Sequence, residues 1–334
     1  MTRLILRRLA LLVPTLLGLS VLLFLWVRAL PGGPATALLG ERATPEAVER
    51  INQLYGFDRP LPQQYVQWLG QLLQGNFGVS TRTGRPVLDE FWARFPATVE
   101  LSLVALVVAV GLGVPLGYLA ARRQGRLVDH VAVVTSLLGV TVPVFFLAFL
   151  LKWLFAVQLG WFPSSGRQDP AMIATHPTRF YVLDGLMTRE WDASWDALLH
   201  LVLPALALGT IPLAIIARIT RASVIDVQHA DYVRTARAKG LSPAHVRSRV
   251  ILHNAMLPVS TTIGLQVGLL LSGAVLTETV FAFPGIGKFL ADAVFNLDYA
   301  VLQGFILLIA VVYALVNLAV DVSYGLIDPR MRTR

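Results

Sequence analysis

Six long apolar runs alternate with polar, arginine-bearing segments along this chain, at about 9–30, 98–121, 131–157, 199–219, 259–281 and 299–321. A helix needs roughly 20 mostly apolar residues to cross the hydrocarbon core of a bilayer, and each run supplies them. The pattern therefore predicts an all-α polytopic membrane protein with about six transmembrane helices. Between the first two runs, residues 31–97 are too long for a simple connection and carry helical signals of their own. Thr44 followed by Pro45 starts a short helix that Gly56 can stop. Another begins near Leu61, with Tyr65, Trp68, Leu69 and Leu72 on one face, which is expected to rest on the membrane interface or on neighbouring helices. The chain divides accordingly into an N-terminal segment with the first span (1–30), an external region with short helices (31–97), and a core of five spans (98–334) that includes a polar loop at 220–258.

Composition agrees with the pattern. The chain of 334 residues is 55% hydrophobic and only 14% charged, with a mean hydropathy of +0.65, which excludes an ordinary soluble domain. A net charge of +8 would suit a nucleic-acid binder, but the basic residues stand in short clusters beside apolar runs, where they act as topology signals. The expected partner is thus the lipid bilayer and not nucleic acid. Cysteine is absent, so there is no disulfide framework and no thiolate metal site. Arg3, Arg7 and Arg8 precede an apolar run too long for a signal peptide, and the LPGGP that follows lacks a small-x-small cleavage pattern, so this run is read as a retained span. Arg122, Arg123 and Arg126 follow the second run, Arg218 and Arg221 the fourth, and Arg330, Arg332 and Arg334 close the chain. With six spans all of these fall on one side, which predicts cytoplasmic N and C termini.

The polar island in the 220–258 loop is DYVRTARAKG. Tyr232, Val233 and Ala236 form an apolar stripe at helical spacing. Asp231 suits the first helical turn and Lys239 the last, and Gly240 supplies a left-handed stop. Ser242 and Pro243 then begin a second helix. The expected structure is helix, glycine turn, helix, set between two spans, with Arg234, Thr235 and Arg237 on the first helix.

Pro115, Pro143, Pro204 and Pro212 mark kinks within the spans. Gly264 and Gly268 make a GxxxG pair, extended by Ser272, that reads as helix packing. Ionisable groups at membrane depth are functional candidates because burying charge is costly. Lys152 and Asp321 lie near span ends, leaving Glu278, beside Thr277, as the candidate for a translocation path or gate. Catalytic chemistry is not expected. FPGIGKF departs from a phosphate loop at Ala282 and Phe289, no HExxH or GxSxG occurs, and His176, His200, His229, His245 and His253 do not pair at ligand spacing.

The island resembles the cytoplasmic EAA loop of ABC-importer permease subunits, most closely that of dipeptide and oligopeptide permeases, although Arg234 stands where the general motif has Glu. The resemblance extends through LPGGPA at 30–35, YGFDRPLPQQYVQWLGQLLQGNFGVS at 55–80, FPATVEL at 95–101, HLVLPALALG at 200–209, LTETVFAFPGIGK at 276–288 and the DPRMR near the C-terminus. It implies the type I ABC importer permease fold in a bacterial inner membrane, with Asp231 to Gly240 as the coupling helix. It further implies a non-enzymatic subunit with no cofactor of its own, ATP-Mg being held by partner ATPase subunits. The implied partners are a second homologous permease in a heterodimer, two ABC ATPase subunits and an extracytoplasmic substrate-binding protein. The implied cargo is di- or oligopeptides, with nickel, glutathione or oligosaccharides as alternatives within the class. An ion-coupled secondary transporter is the reading from another class, and the chain shows neither the repeats nor the proton relay it would need.

Overall fold

The computed structural model describes residues 2–29, 33–40 and 43–327. The terminal Arg330, Arg332 and Arg334, the DPRMR motif and part of LPGGPA lie outside the described residues, as do the side chains of Arg3, Ser272 and Asp321. The helices in chain order are α1 (Thr2–Arg28), α2 (Gly33–Leu39), α3 (Pro45–Tyr55), α4 (Leu61–Leu73), α5 (Val87–Arg122), α6 (Leu127–Thr141), α7 (Val144–Leu151), α8 (Tyr181–Thr188), α9 (Trp191–Gln228), α10 (Asp231–Ala238), α11 (Pro243–His245), α12 (His253–Gly273), α13 (Val275–Val280), α14 (Ile286–Phe295) and α15 (Tyr299–Ile327). Among the described residues the only β pairing is an isolated bridge between Val79 and Pro86.

Among the described residues five helices are long and apolar enough to cross a membrane, or up to six spans if one bent pair is counted as a single crossing. This makes the chain a multi-pass membrane protein. Two expectations are corrected. The third run is not one straight helix: α6 and the Val144–Gln158 segment meet at 104°. Pro143 lacks the N–H that would continue the ladder and drives the preceding residue toward extended backbone, which Val142 adopts with ψ 125°. The fifth span runs from Pro243 to Leu271 and does not reach 281. Ala274 separates α12 from the short α13, which carries Thr277 and Glu278.

The chain forms two compact units, residues 1–96 with 284–334, and residues 97–283. In the first, Val87, Phe91, Ile286, Phe289, Val301 and Phe305 make the core. Thr44 caps α3 by accepting from the Ala47 N–H, and Gly56 closes it at φ +68°. The aromatic face of α4 lies on α1, where Tyr65 and Trp68 meet Phe24 at 5.2 and 5.6 Å between ring centroids. Buried Gln64 accepts from Arg28 and donates to the Phe57 and Arg59 carbonyls, which fixes the turn before α4 on the end of α1.

In the second unit α9 is the central helix, packed by α6, α7, α8 and α12 and crossed by α5. Gly117 of α5 lies so close to α9 that a Cβ there would overlap the Ala217 carbonyl, and one at Gly113 would come within 2.9 Å of the Leu213 carbonyl. This Gly113/Gly117 pair is the small-residue spacing that lets membrane helices approach backbone to backbone. Gly264 and Gly268 are also buried, on α12, the helix packed along α9.

Candidate functional site

α10 hangs from the end of α9, and its sequence periodicity decides which residues it can offer a partner. Val233 and Ala236, three apart, turn inward and are 0% and 8% exposed. They pack with Ala121, Val224, Val246, Ile251 and Ala255 in a small core that joins α10 to the ends of α5, α9 and α12. Ala236 faces its own chain, because a short helix lying on a bundle must bury its one apolar stripe there. The outward face is Tyr232, Arg234, Thr235, Arg237 and Lys239, all exposed. Asp231 begins the helix and pairs with Arg234 at 3.3 Å, in full view of solvent, and Thr235 bonds back to the Asp231 carbonyl.

The stop is a Schellman turn. Gly240, at φ +74°, donates to the Arg237 carbonyl at 3.0 Å, and the Leu241 N–H reaches the Ala236 carbonyl at 3.3 Å. The chain reverses at once: Ser242 accepts from the His245 N–H, Pro243 occupies the first turn, and the backbone continues through a π-helical stretch, Val246–Leu252, into α12. An exposed basic and aromatic helix is thus held rigidly between two spans.

Glu278 and Thr277 lie elsewhere and are both 0% exposed. Thr98 Oγ1 on α5 donates to Glu278 Oε1 at 2.5 Å. The Lys152 ammonium donates to the Val280 carbonyl at 2.8 Å, at the end of α13, and the Gly166 N–H to the Phe281 carbonyl at 3.0 Å. The segment 277–283 is therefore pinned from three sides within its unit. Glu278 is an internal hydrogen-bond partner in this structure, buried together with Thr277.

Sequence reasoning missed two buried ion pairs. Arg221 of α9 grips Asp129 of α6 at 2.5 and 2.8 Å, and Asp129 also accepts from the Gly125 N–H. Arg167 donates to Glu100 at 2.6 Å and to the Arg179 carbonyl, and lies 3.9 Å over the Tyr181 ring. Glu100 was findable as an acid within the second apolar run. Its partner, 67 residues away, was not. Around this pair the segment 158–190 is folded: His176 stacks on Tyr181 at 3.6 Å, with Nε2 bonded to Gln168. Burial lowers the His176 pKa against the opposing pull of the Asp184 carboxylate. Hydrogen bonds from the Thr175 N–H and hydroxyl hold Glu190 below the usual carboxylate range. No group of three or more metal-ligating side chains occurs among the described residues.

The described residues form a polytopic helical bundle with a capped, exposed helix between two spans, as the resemblance to ABC-importer permease subunits implies. Residues 113–333 match the family model for the binding-protein-dependent transport system inner membrane component, and residues 1–102 match that for the N-terminal part of such components. The chain belongs to this family. It is 49% identical over 328 residues, covering 98% of this chain and 97% of the relative, to the di/tripeptide transport system permease protein DppB of Pseudomonas aeruginosa. It is 44% identical to the dipeptide transport system permease protein DppB of Escherichia coli K12, with 99% of both chains covered. Among solved structures, an inward-facing form of the MetNI methionine ABC transporter shares the fold at a TM-score of 0.50 and 14% identity, covering 70% of this chain and 93% of that one.

Proposed function

We propose that this chain is one half of the transmembrane pathway of an importer for di- and short oligopeptides. A second homologous permease completes the pathway, two ATPase subunits drive it, and an extracytoplasmic binding protein delivers the cargo. ATP is hydrolysed on the partner subunits. The single observation that carries the coupling role is the placement of α10, whose inner stripe is bolted to the ends of α5, α9 and α12 while its basic, aromatic face is free to be gripped. A push on that face moves three spans together. The peptide cargo is supported by the two DppB relatives, whose names assign them dipeptide or di/tripeptide transport. The arginines after the second and fourth apolar runs support cytoplasmic placement of this end and of both termini.

The test is reconstitution with the sister permease, the ATPases and the binding protein. ATP-dependent accumulation of a labelled dipeptide is expected, with no uptake by this chain alone. Tight binding of a metal, glutathione or an oligosaccharide by the binding protein, without peptide binding, would overturn the cargo assignment.

A further inference from the structure

Where α5 turns into α6, the second unit carries a polar cavity of about 490 Å³ lined by Arg122, Arg123, Gln124, Arg126 and Gln228, with Leu119 at its rim. The nearest carboxylate in sequence is taken: Asp129 is 4% exposed, gripped by Arg221 and bonded by the Gly125 N–H. Among the described residues no acid pairs with any of the three arginines, so the cavity presents uncompensated positive charge and guanidinium forks suited to phosphate oxygens. Apolar surface adjoins it on both helices. Leu116 and Leu119 at the end of α5 are 41% and 44% exposed, and Leu127 and Val131 at the start of α6 are 79% and 55% exposed.

We propose that this cavity binds the phosphate of an anionic glycerophospholipid, whose acyl chains lie along the flanking leucines and valine. A soluble anion would satisfy the arginines and leave the apolar flank uncovered; a docked soluble protein would have to cover residues that belong to membrane spans. One molecule with a charged head and two apolar tails fits both surfaces. Basic pockets at the ends of spans are the recurring form of such recognition. Seated there, the lipid would brace the α5–α6 turn beside the Arg221–Asp129 clamp. The proposal holds whichever face of the membrane this end occupies, so it stands or falls separately from the transport reading.

The experiment is a titration of the purified full-length chain, in neutral detergent, with phosphatidylglycerol or phosphatidylcholine of identical acyl chains, counting retained lipid by native mass spectrometry. Retention of phosphatidylglycerol should exceed that of phosphatidylcholine by about tenfold or more and should weaken as salt rises. The triple variant R122Q/R123Q/R126Q should fall to the phosphatidylcholine level, while R247Q/R249Q, which removes exposed charge elsewhere on the same chain, should keep the preference. Equal retention of the two lipids by the wild type overturns the proposal, as does displacement of phosphatidylglycerol by an equal concentration of inorganic phosphate. A triple variant that holds phosphatidylglycerol normally but loses ATPase subunits also overturns it, marking a protein contact. Should the triple variant fail to insert, the wild-type comparison and the single variant Arg123→Gln decide.

Discussion

Gly240 has no atom within 4 Å of where a Cβ would stand, so any cost of replacing it comes from the backbone alone. An L-residue at φ +74° costs about 1 kcal/mol, a β-branched one more, and Asn least. Gly240→Asn should therefore keep near-normal uptake at normal expression, and Gly240→Val should lose much of it. Equal uptake by both variants would mean that the Schellman turn is not needed. His176 makes a second case at this scale. Its folded pKa is lowered from 6.5, so as pH falls below about 6.5 the opened loop takes up the proton first and the closed loop loses stability. Glu190, also lowered, adds a loss of the same sign below its ordinary 4.5. Protection of the amides across 166–190, measured relative to their intrinsic exchange rates at each pH, should fall between pH 7 and 5.5. His176→Phe, which keeps a ring over Tyr181 but cannot titrate, should flatten that change.

Helices are joined here by a few specific polar contacts set within apolar packing. The Asp129–Arg221 clamp ties α6 to α9 with Asp129 buried, and removing one partner strands the other's charge. Breaking such pairs from one side costs roughly 3 kcal/mol or more, while replacing both is far cheaper. Asp129→Asn or Arg221→Gln alone should each lower the thermal midpoint of the purified complex clearly, and the double variant should recover most of the loss. Additive losses would show that the clamp is not a unit. The elements themselves were legible in the sequence wherever one local signal decided them: the first, second, fourth and sixth apolar runs, Thr44 and Gly56 bounding α3, Ser242 and Gly240 around the turn. What the sequence hid depends on pairs distant in the chain. The 104° angle at Val142 and Pro143 was readable as a kink but not as a broken span, because its size depends on how both arms pack. Gly113 and Gly117 carry the same spacing as Gly264 and Gly268, and only the structure shows how closely they bring α5 to α9. Glu278 was singled out for its charge, but its hydrogen-bond partner Thr98, 180 residues earlier, could not be read from the sequence.

For the whole molecule the question, on the proposed reading, is how work done on a partner would reach the spans. A ligand or partner biases a two-state protein only through contacts that differ between the states. On the proposed reading α10 would make such a contact: its buried stripe couples it to three spans, while among the described residues its outer face shows only the Asp231–Arg234 pair and the Thr235 bond back to the Asp231 carbonyl. This separates two kinds of substitution. Ala236→Glu would force a carboxylate into the core with Val233, Val246 and Ile251 and should loosen α10 from its own chain, seen as faster local proteolysis and a lower thermal midpoint. Tyr232→Ala combined with Arg237→Ala touches only the outer face and should leave stability within about 0.5 kcal/mol of the parent, as surface changes do, with the midpoint little moved. If α10 transmits the stroke, the outer-face variant should still assemble in the membrane, yet show uptake and substrate-stimulated ATP hydrolysis reduced together by about tenfold or more. Loss of uptake with normal stimulated hydrolysis would place the defect in the pathway instead. Normal values of both would leave α10 as a structural turn.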